Sequence, residues 1–155
     1  MKSTLLLCPL LVLATAVAAA DEQSAPDDLE WKAGVASAVI TPEMPLKMAG
    51  YAGRKDPAEG TEQDLYAKAL AVEDGDGNRL VILTMDLIGV LDRLRERVAQ
   101  RLETECELPP HALLMNASHT HCGPAYGRDE AADYFDHLAD TLVGVAARAL
   151  QQMEP

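Results

Sequence analysis

Residues 33–40 alternate, with Val35, Ser37 and Val39 on one side and Ala36, Ala38 and Ile40 on the other, which is the two-residue period of a strand. Thr41-Pro42 closes it. A second strand is expected over 65–73 and a third over 80–85, joined by the turn formers Asp74-Gly75-Asp76-Gly77-Asn78 as a hairpin. The third is apolar at nearly every position, which predicts a central strand covered on both faces. Leu87, Leu91, Leu94, Val98 and Leu102 then recur at helical intervals. Arg93, Glu96, Arg97 and Arg101 fill the other faces, so an amphipathic helix is expected to end before Pro109-Pro110. Residues 113–118 return to strand. A last helix is predicted from the stripe Phe135, Leu138, Leu142, Val145 and Ala149, with Asp129 able to cap it.

The fold class that follows is α/β: a mixed sheet with a β-hairpin and a parallel strand–helix–strand unit, whose crossover should be right-handed. Residues 44–60 have no period. They are rich in Gly and Pro and include Met48-Ala49-Gly50-Tyr51-Ala52-Gly53, a long loop of the kind that more often carries function than not. The Asp74–Asn78 turn also looks like the start of a calcium loop. The match fails at the sixth position, Arg79 instead of Gly, and at the twelfth, Met85 instead of Glu.

The amino-terminal end changes the setting of this domain. Lys2 precedes an apolar run over 5–17, and Ala18-Ala19-Ala20 offers a cleavage site before Asp21, the pattern of a secretory signal peptide. The expected organisation is a signal over 1–20, a flexible acidic lead-in over 21–31, and one domain over 32–155, secreted or periplasmic. No other segment approaches transmembrane length. Cleavage would remove Lys2, the sole charge of residues 1–20, and move the formal net charge from −12 to −13. Such acidity argues against nucleic acid and against an anionic membrane surface as partners. Cys106 and Cys122 remain. They flank opposite ends of a six-residue strand spanning about 20 Å, beyond the reach of one disulfide, so two free thiols are expected.

Candidate chemistry gathers beyond the carboxyl ends of the strands, where an α/β unit places its ligands. Asp86 follows the third strand, His119 and His121 follow the fourth, and the Gly50-Tyr51 loop follows the first. A His-x-His pair at a strand end suits a transition metal, and zinc takes neutral imidazole well. Cys122 could add a third ligand, with a second chain completing the site, or could pair with a histidine as a nucleophile. Asp86 could equally cap the following helix, and Tyr51 could simply pack. His111 and His137 have no chemical company. The sequon Asn116-Ala117-Ser118 falls within an expected strand and is discounted.

The chain resembles the amino-terminal part of the neutral/alkaline non-lysosomal ceramidases. The matching pieces run in the family's order: Ala33-Gly34-Val35 to Ile40-Thr41-Pro42, Met48-Ala49-Gly50-Tyr51-Ala52, the hairpin with Ala69-Leu70, the strand ending at Asp86, and Ser118-His119-Thr120-His121-Cys122-Gly123-Pro124. The resemblance implies a zinc-dependent amidase acting on the N-acyl bond of ceramide-like lipids. It implies that His119 ligates zinc and that His121, beside the metal, helps stabilise the tetrahedral intermediate. Gly50 and Tyr51 would contact substrate, with Asp86 and Cys122 supporting the site. Many relatives have Ser where Cys122 stands. Family catalytic domains are much longer, and their other zinc ligands lie beyond the matched region. The resemblance therefore implies a truncated portion of a larger α/β hydrolase domain, inactive as a lone monomer. The alternative is a non-catalytic secreted module on the same fold that binds a lipid or a protein partner.

Overall fold

The computed structural model describes residues 31–155; the expected signal peptide and nearly all of the lead-in lie outside the described residues. Four strands form one sheet in the order β1-β2-β3-β4. They are β1 (Lys32–Val39), β2 (Tyr66–Glu73), β3 (Arg79–Met85) and β4 (Leu113–Ala117). β1 and β3 run antiparallel to β2, whereas β3 and β4 are parallel, with Val81 opposite Leu113 and Met85 opposite Ala117. The mixed sheet, the hairpin and the parallel pair are therefore as the sequence leads one to expect. Asp74 shapes the hairpin turn. Its carboxylate accepts from the backbone N–H groups of Asp76 and Asn78 and from the Asn78 side chain. These bonds, the Asn78 side chain first, hold its pKa below the ordinary value.

Two helices, α1 (Asp92–Cys106) and α2 (Ala132–Gln151), lie on one side of the sheet. The inward positions of β2 are Ala67, Ala69 and Ala71, all buried. With Gly34 on β1 they let α2 approach closely. A side chain at Gly34 would overlap the carbonyl oxygen of Ala149. Val81, Leu83 and Met85 of β3 join Leu94, Val98 and Leu102 of α1 and Leu138, Leu142 and Val145 of α2 in one core. Residues from the far end return to the sheet: Ala33 and Glu154 exchange both backbone hydrogen bonds, at 2.9 and 3.1 Å.

The opposite face of the sheet is not covered by the described residues. Val35 is 68% exposed and Leu114 48%, and Val39, Leu70 and Leu80 are exposed as well. This corrects the expectation that β3 is covered on both faces. Its burial alternates, with Val81, Leu83 and Met85 inside and Leu80 outside. An unbroken apolar strand marks two apolar faces, and the helices of this segment cover one.

Two expected caps are also corrected. Leu87 and Leu91 fit the helical stripe, yet α1 begins only at Asp92 with Leu91 at its N-cap and no side-chain cap. Asp86 does not cap it. Its carboxylate accepts from the Tyr66 N–H at 3.0 Å while its own N–H donates to the Tyr66 carbonyl, which prolongs the sheet by a residue. Asp129 opens a short 3-10 turn (Asp129–Ala131), and α2 starts at Ala132 without a side-chain cap. Both cysteines are free, Cys106 half-buried and Cys122 exposed.

Candidate active site

β1, β3 and β4 share a direction, so their carboxyl ends meet at one edge of the sheet. Beyond β4 the Ser118 N–H still donates to Met85, at 3.0 Å, and the chain then turns sharply. His119 makes that turn with φ of 60°, a left-handed conformation uncommon outside glycine. The turn throws its ring back towards the connection between β3 and α1. There Nδ1 lies 2.6 Å from the Ile88 carbonyl oxygen. A carbonyl only accepts, so Nδ1 carries the proton and Nε2 presents a lone pair outward. The Nε2 of His121 stands 3.4 Å from that of His119, and the two rings meet edge to face, centroids 5.1 Å apart. Two lone pairs would repel at this distance. The pairing therefore sets the His121 Nε2–H towards the His119 lone pair.

The long loop after β1 closes over this pair. Ala49 donates to the Gly123 carbonyl at 2.9 Å and Ala125 to that of Lys47 at 2.7 Å, so residues 47–49 run as a short antiparallel strap beside 123–125. Gly50, with φ of 101°, lies flat on His121, where a Cβ would overlap the ring's root. Tyr51 meets the His121 ring edge to face at 4.9 Å. Arg54 completes the arrangement. It donates to the His121 carbonyl at 2.6 Å and lies over the Tyr51 ring at 4.7 Å.

The structure thus brings four of the expected residues together, Gly50, Tyr51, His119 and His121, and sets the other two apart. Asp86 and Cys122 line a cavity of about 1290 Å³ walled by residues 41–46 and 53–65 and by Ser118 and Thr120. None of the four lines that cavity. Along 118–122 the residues that do so alternate with the two histidines. The Asp86 carboxylate is already engaged with the backbone of Tyr66. Among the described residues no three His, Cys, Asp or Glu side chains gather as a metal-holding group, so Cys122 does not complete a self-contained site with the histidines. The donor chemistry fits zinc at one corner, the oriented Nε2 of His119, and supplies no closed set.

Three participants escaped the sequence reading: Arg54, the Ile88 carbonyl and Tyr126. The Tyr126 side chain is 1% exposed, and its hydroxyl donates to the Gly89 carbonyl at 2.7 Å and accepts from the Leu91 N–H at 3.2 Å. A lone aromatic shortly after Gly123-Pro124 was the one available signal for it.

The fold and site define an α/β layer that carries two adjoining imidazoles, His119 and His121, at the carboxyl rim of its strands. Residues 31–134 match the family described as neutral/alkaline non-lysosomal ceramidase, N-terminal, and the chain belongs to that family. It is 31% identical over 97 residues to the neutral ceramidase of Drosophila pseudoobscura pseudoobscura, and equally to that of Drosophila melanogaster. The match takes in 61% of this chain and 14% of each of those proteins. Its fold is similar to that of the neutral ceramidase from Pseudomonas aeruginosa, with a TM-score of 0.71, 26% identity, and cover of 83% of this chain and 23% of that one. A ceramidase complexed with C2 gives a TM-score of 0.69 at 25% identity, over 83% of this chain and 22% of its own. The four-stranded layer therefore corresponds to a portion of a larger ceramidase fold.

Proposed function

We propose that the chain supplies the amino-terminal portion of an exported, zinc-dependent amidase that hydrolyses the N-acyl bond of ceramide-like lipids. The observation that carries this is the His119 ring, turned by a left-handed backbone and held through Nδ1 so that Nε2 carries the lone pair a metal would take from its contact with His121. Zinc bound there would supply Lewis acidity and acidify a coordinated water. With the His119 lone pair taken by a metal, the His121 Nε2–H would be released from it and could donate to the oxyanion of a tetrahedral intermediate. Gly50 and Tyr51 fix the His121 ring and offer an apolar edge to the substrate. Catalytic zinc sites use three protein ligands or more, so completion calls for donors other than the described residues.

Replacing the matching segment of the Pseudomonas aeruginosa neutral ceramidase by residues 32–153 tests the assignment. The chimera should hydrolyse a fluorescent N-acyl sphingosine and lose that activity on His119→Ala. A folded chimera indifferent to His119→Ala would overturn it. The chain alone should neither bind zinc stoichiometrically nor turn over the same substrate.

A second reading, a non-catalytic secreted module that binds a lipid or a partner, is favoured by the lack of a three-donor group among the described residues. Lipid binding that survives both chelation and His119→Ala would support it.

A further inference from the structure

The working atom of His119 depends on a backbone carbonyl, and that carbonyl lies in a connection with no regular structure. Residues 86–91 link β3 to α1, and Ile88 and Gly89 sit in the middle of it. On one side the stretch is anchored by Leu87, fully buried, whose N–H donates to the Met85 carbonyl at 3.0 Å. On the other side the anchor is the Tyr126 hydroxyl. It donates to the Gly89 carbonyl and accepts from the Leu91 N–H, so it bridges the residue after Ile88 to the N-cap of α1. Two of the contacts on this connection come from one loop: His119 takes the carbonyl of Ile88, and Tyr126 takes the next one along.

We propose that Tyr126 is a positioning residue, whose buried hydroxyl holds the Ile88 carbonyl where it dictates the tautomer of His119. Without the hydroxyl, the Gly89 carbonyl and Leu91 N–H lose their shared partner. The Gly89–Val90 peptide is then unanchored, the Ile88 carbonyl one residue back loses its support, and the proton on Nδ1 loses its fixed acceptor. The imidazole would distribute its proton over both nitrogens, and the ligand lone pair on Nε2 would be present for part of the time only. The proposal deepens the reading of His119 as a ligand, but its readout needs neither metal nor turnover.

The test is nitrogen-15 NMR of the imidazoles in the full chain at about pH 8, above the ordinary histidine value of about 6.5. The wild-type His119 should show the Nδ1–H form almost alone, and Tyr126→Phe should bring the two tautomers to comparable populations. Tyr134→Phe is the control. It removes another phenol, half-buried, that donates to a carbonyl, that of Ile40 at 2.6 Å, and should leave the His119 tautomer as it was. A Tyr126→Phe spectrum matching wild type, or a shift equally large in Tyr134→Phe, would overturn the proposal. Should Tyr126→Phe not fold, Leu91→Pro gives a second route. The φ of −78° at Leu91 suits proline, and the change deletes the N–H that orients the hydroxyl. A smaller shift in the same direction is then expected, and none would be fatal. Failure of the chimera to hydrolyse substrate would bear on the functional assignment and leave this tautomer result standing.

Discussion

The helix-covered body of the sheet and its carboxyl rim are built by different physics. In the body, Leu83, Leu87, Leu94, Leu102 and Leu142 are wholly buried, and each is held by many weak, directionless contacts. At the rim, His119 is exposed and His121 half-buried, and their positions rest on a few directional contacts: one bond to Ile88, one from Arg54, and the flat back of Gly50. The body tolerates small displacements because burial has no preferred angle. The rim does not, since each of its contacts is a single bond or a single steric fit. Damage to the body should therefore appear as lost stability with the rim intact, and damage to the rim as lost geometry at a smaller cost in stability.

The largest effect separates the two most sharply. Leu142→Ala should lower unfolding free energy by about 2–5 kcal/mol in urea titration, through lost burial and the cavity left behind. The NMR contact between the Tyr51 and His121 rings should persist in the folded fraction. Gly50→Ala should do the reverse. The added methyl meets His121, and φ of 101° strains any side chain, so about 1–3 kcal/mol is expected together with loss of that ring contact. If the contact survived, the steric account of the rim would be wrong.

Tyr134→Phe tests a polar bond set within the body and should cost about 1 kcal/mol. It should also change the alkaline limb of stability. Burial, with Tyr126 nearby, raises the Tyr134 phenol well above its ordinary 10.0. Folding therefore favours the protonated phenol. That contribution is complete below about pH 10 and is lost as pH rises through the folded value. Melting curves from pH 8 to 11 should fall less steeply at the alkaline end in Tyr134→Phe than in wild type. The smallest effect is expected from Arg101→Ala. Its partners Glu105 and Asp140 are solvent-exposed, and such pairs contribute under about 1 kcal/mol. A loss as large as that of Leu142→Ala would mean that charge, not burial, joins α1 to α2.

The same division explains what could be read from the chain. The alternation of 33–40, the turn formers at 74–78 and the stripe Phe135–Leu138–Leu142 are repeated patterns, and they led to the observed strands, hairpin and helix. A pattern shows which positions are apolar but not what covers them, so the open face beside Val35 and Leu114 was not legible. Nor was the start of α1, because Leu87 and Leu91 are core residues that fit the helical stripe without being helical. At the rim, the histidines were visible as a motif. Their partners were not, since the Ile88 and Gly89 carbonyls belong to residues whose side chains carry no polar mark. Arg54 reaches His121 from a loop with no period at all.

The pair of hydrogen bonds between Ala33 and Glu154 has a consequence for the order of assembly. β1 is the first described strand to be synthesised, yet its outer edge is zipped only by residues at the far end of the described chain. Gly34 beside it is closed over by the backbone of Ala149. Synthesis and closure thus run in opposite order. Until α2 and the residues after it have emerged, β1 and β2 lack the helix that covers them and β1 has an unpaired edge, a state inclined to join other chains. A nascent chain of this layout should depend on a holding factor until α2 is clear, and ribosome-bound lengths that expose residues only up to 148 should be protease-sensitive where those that expose residues up to 155 are not.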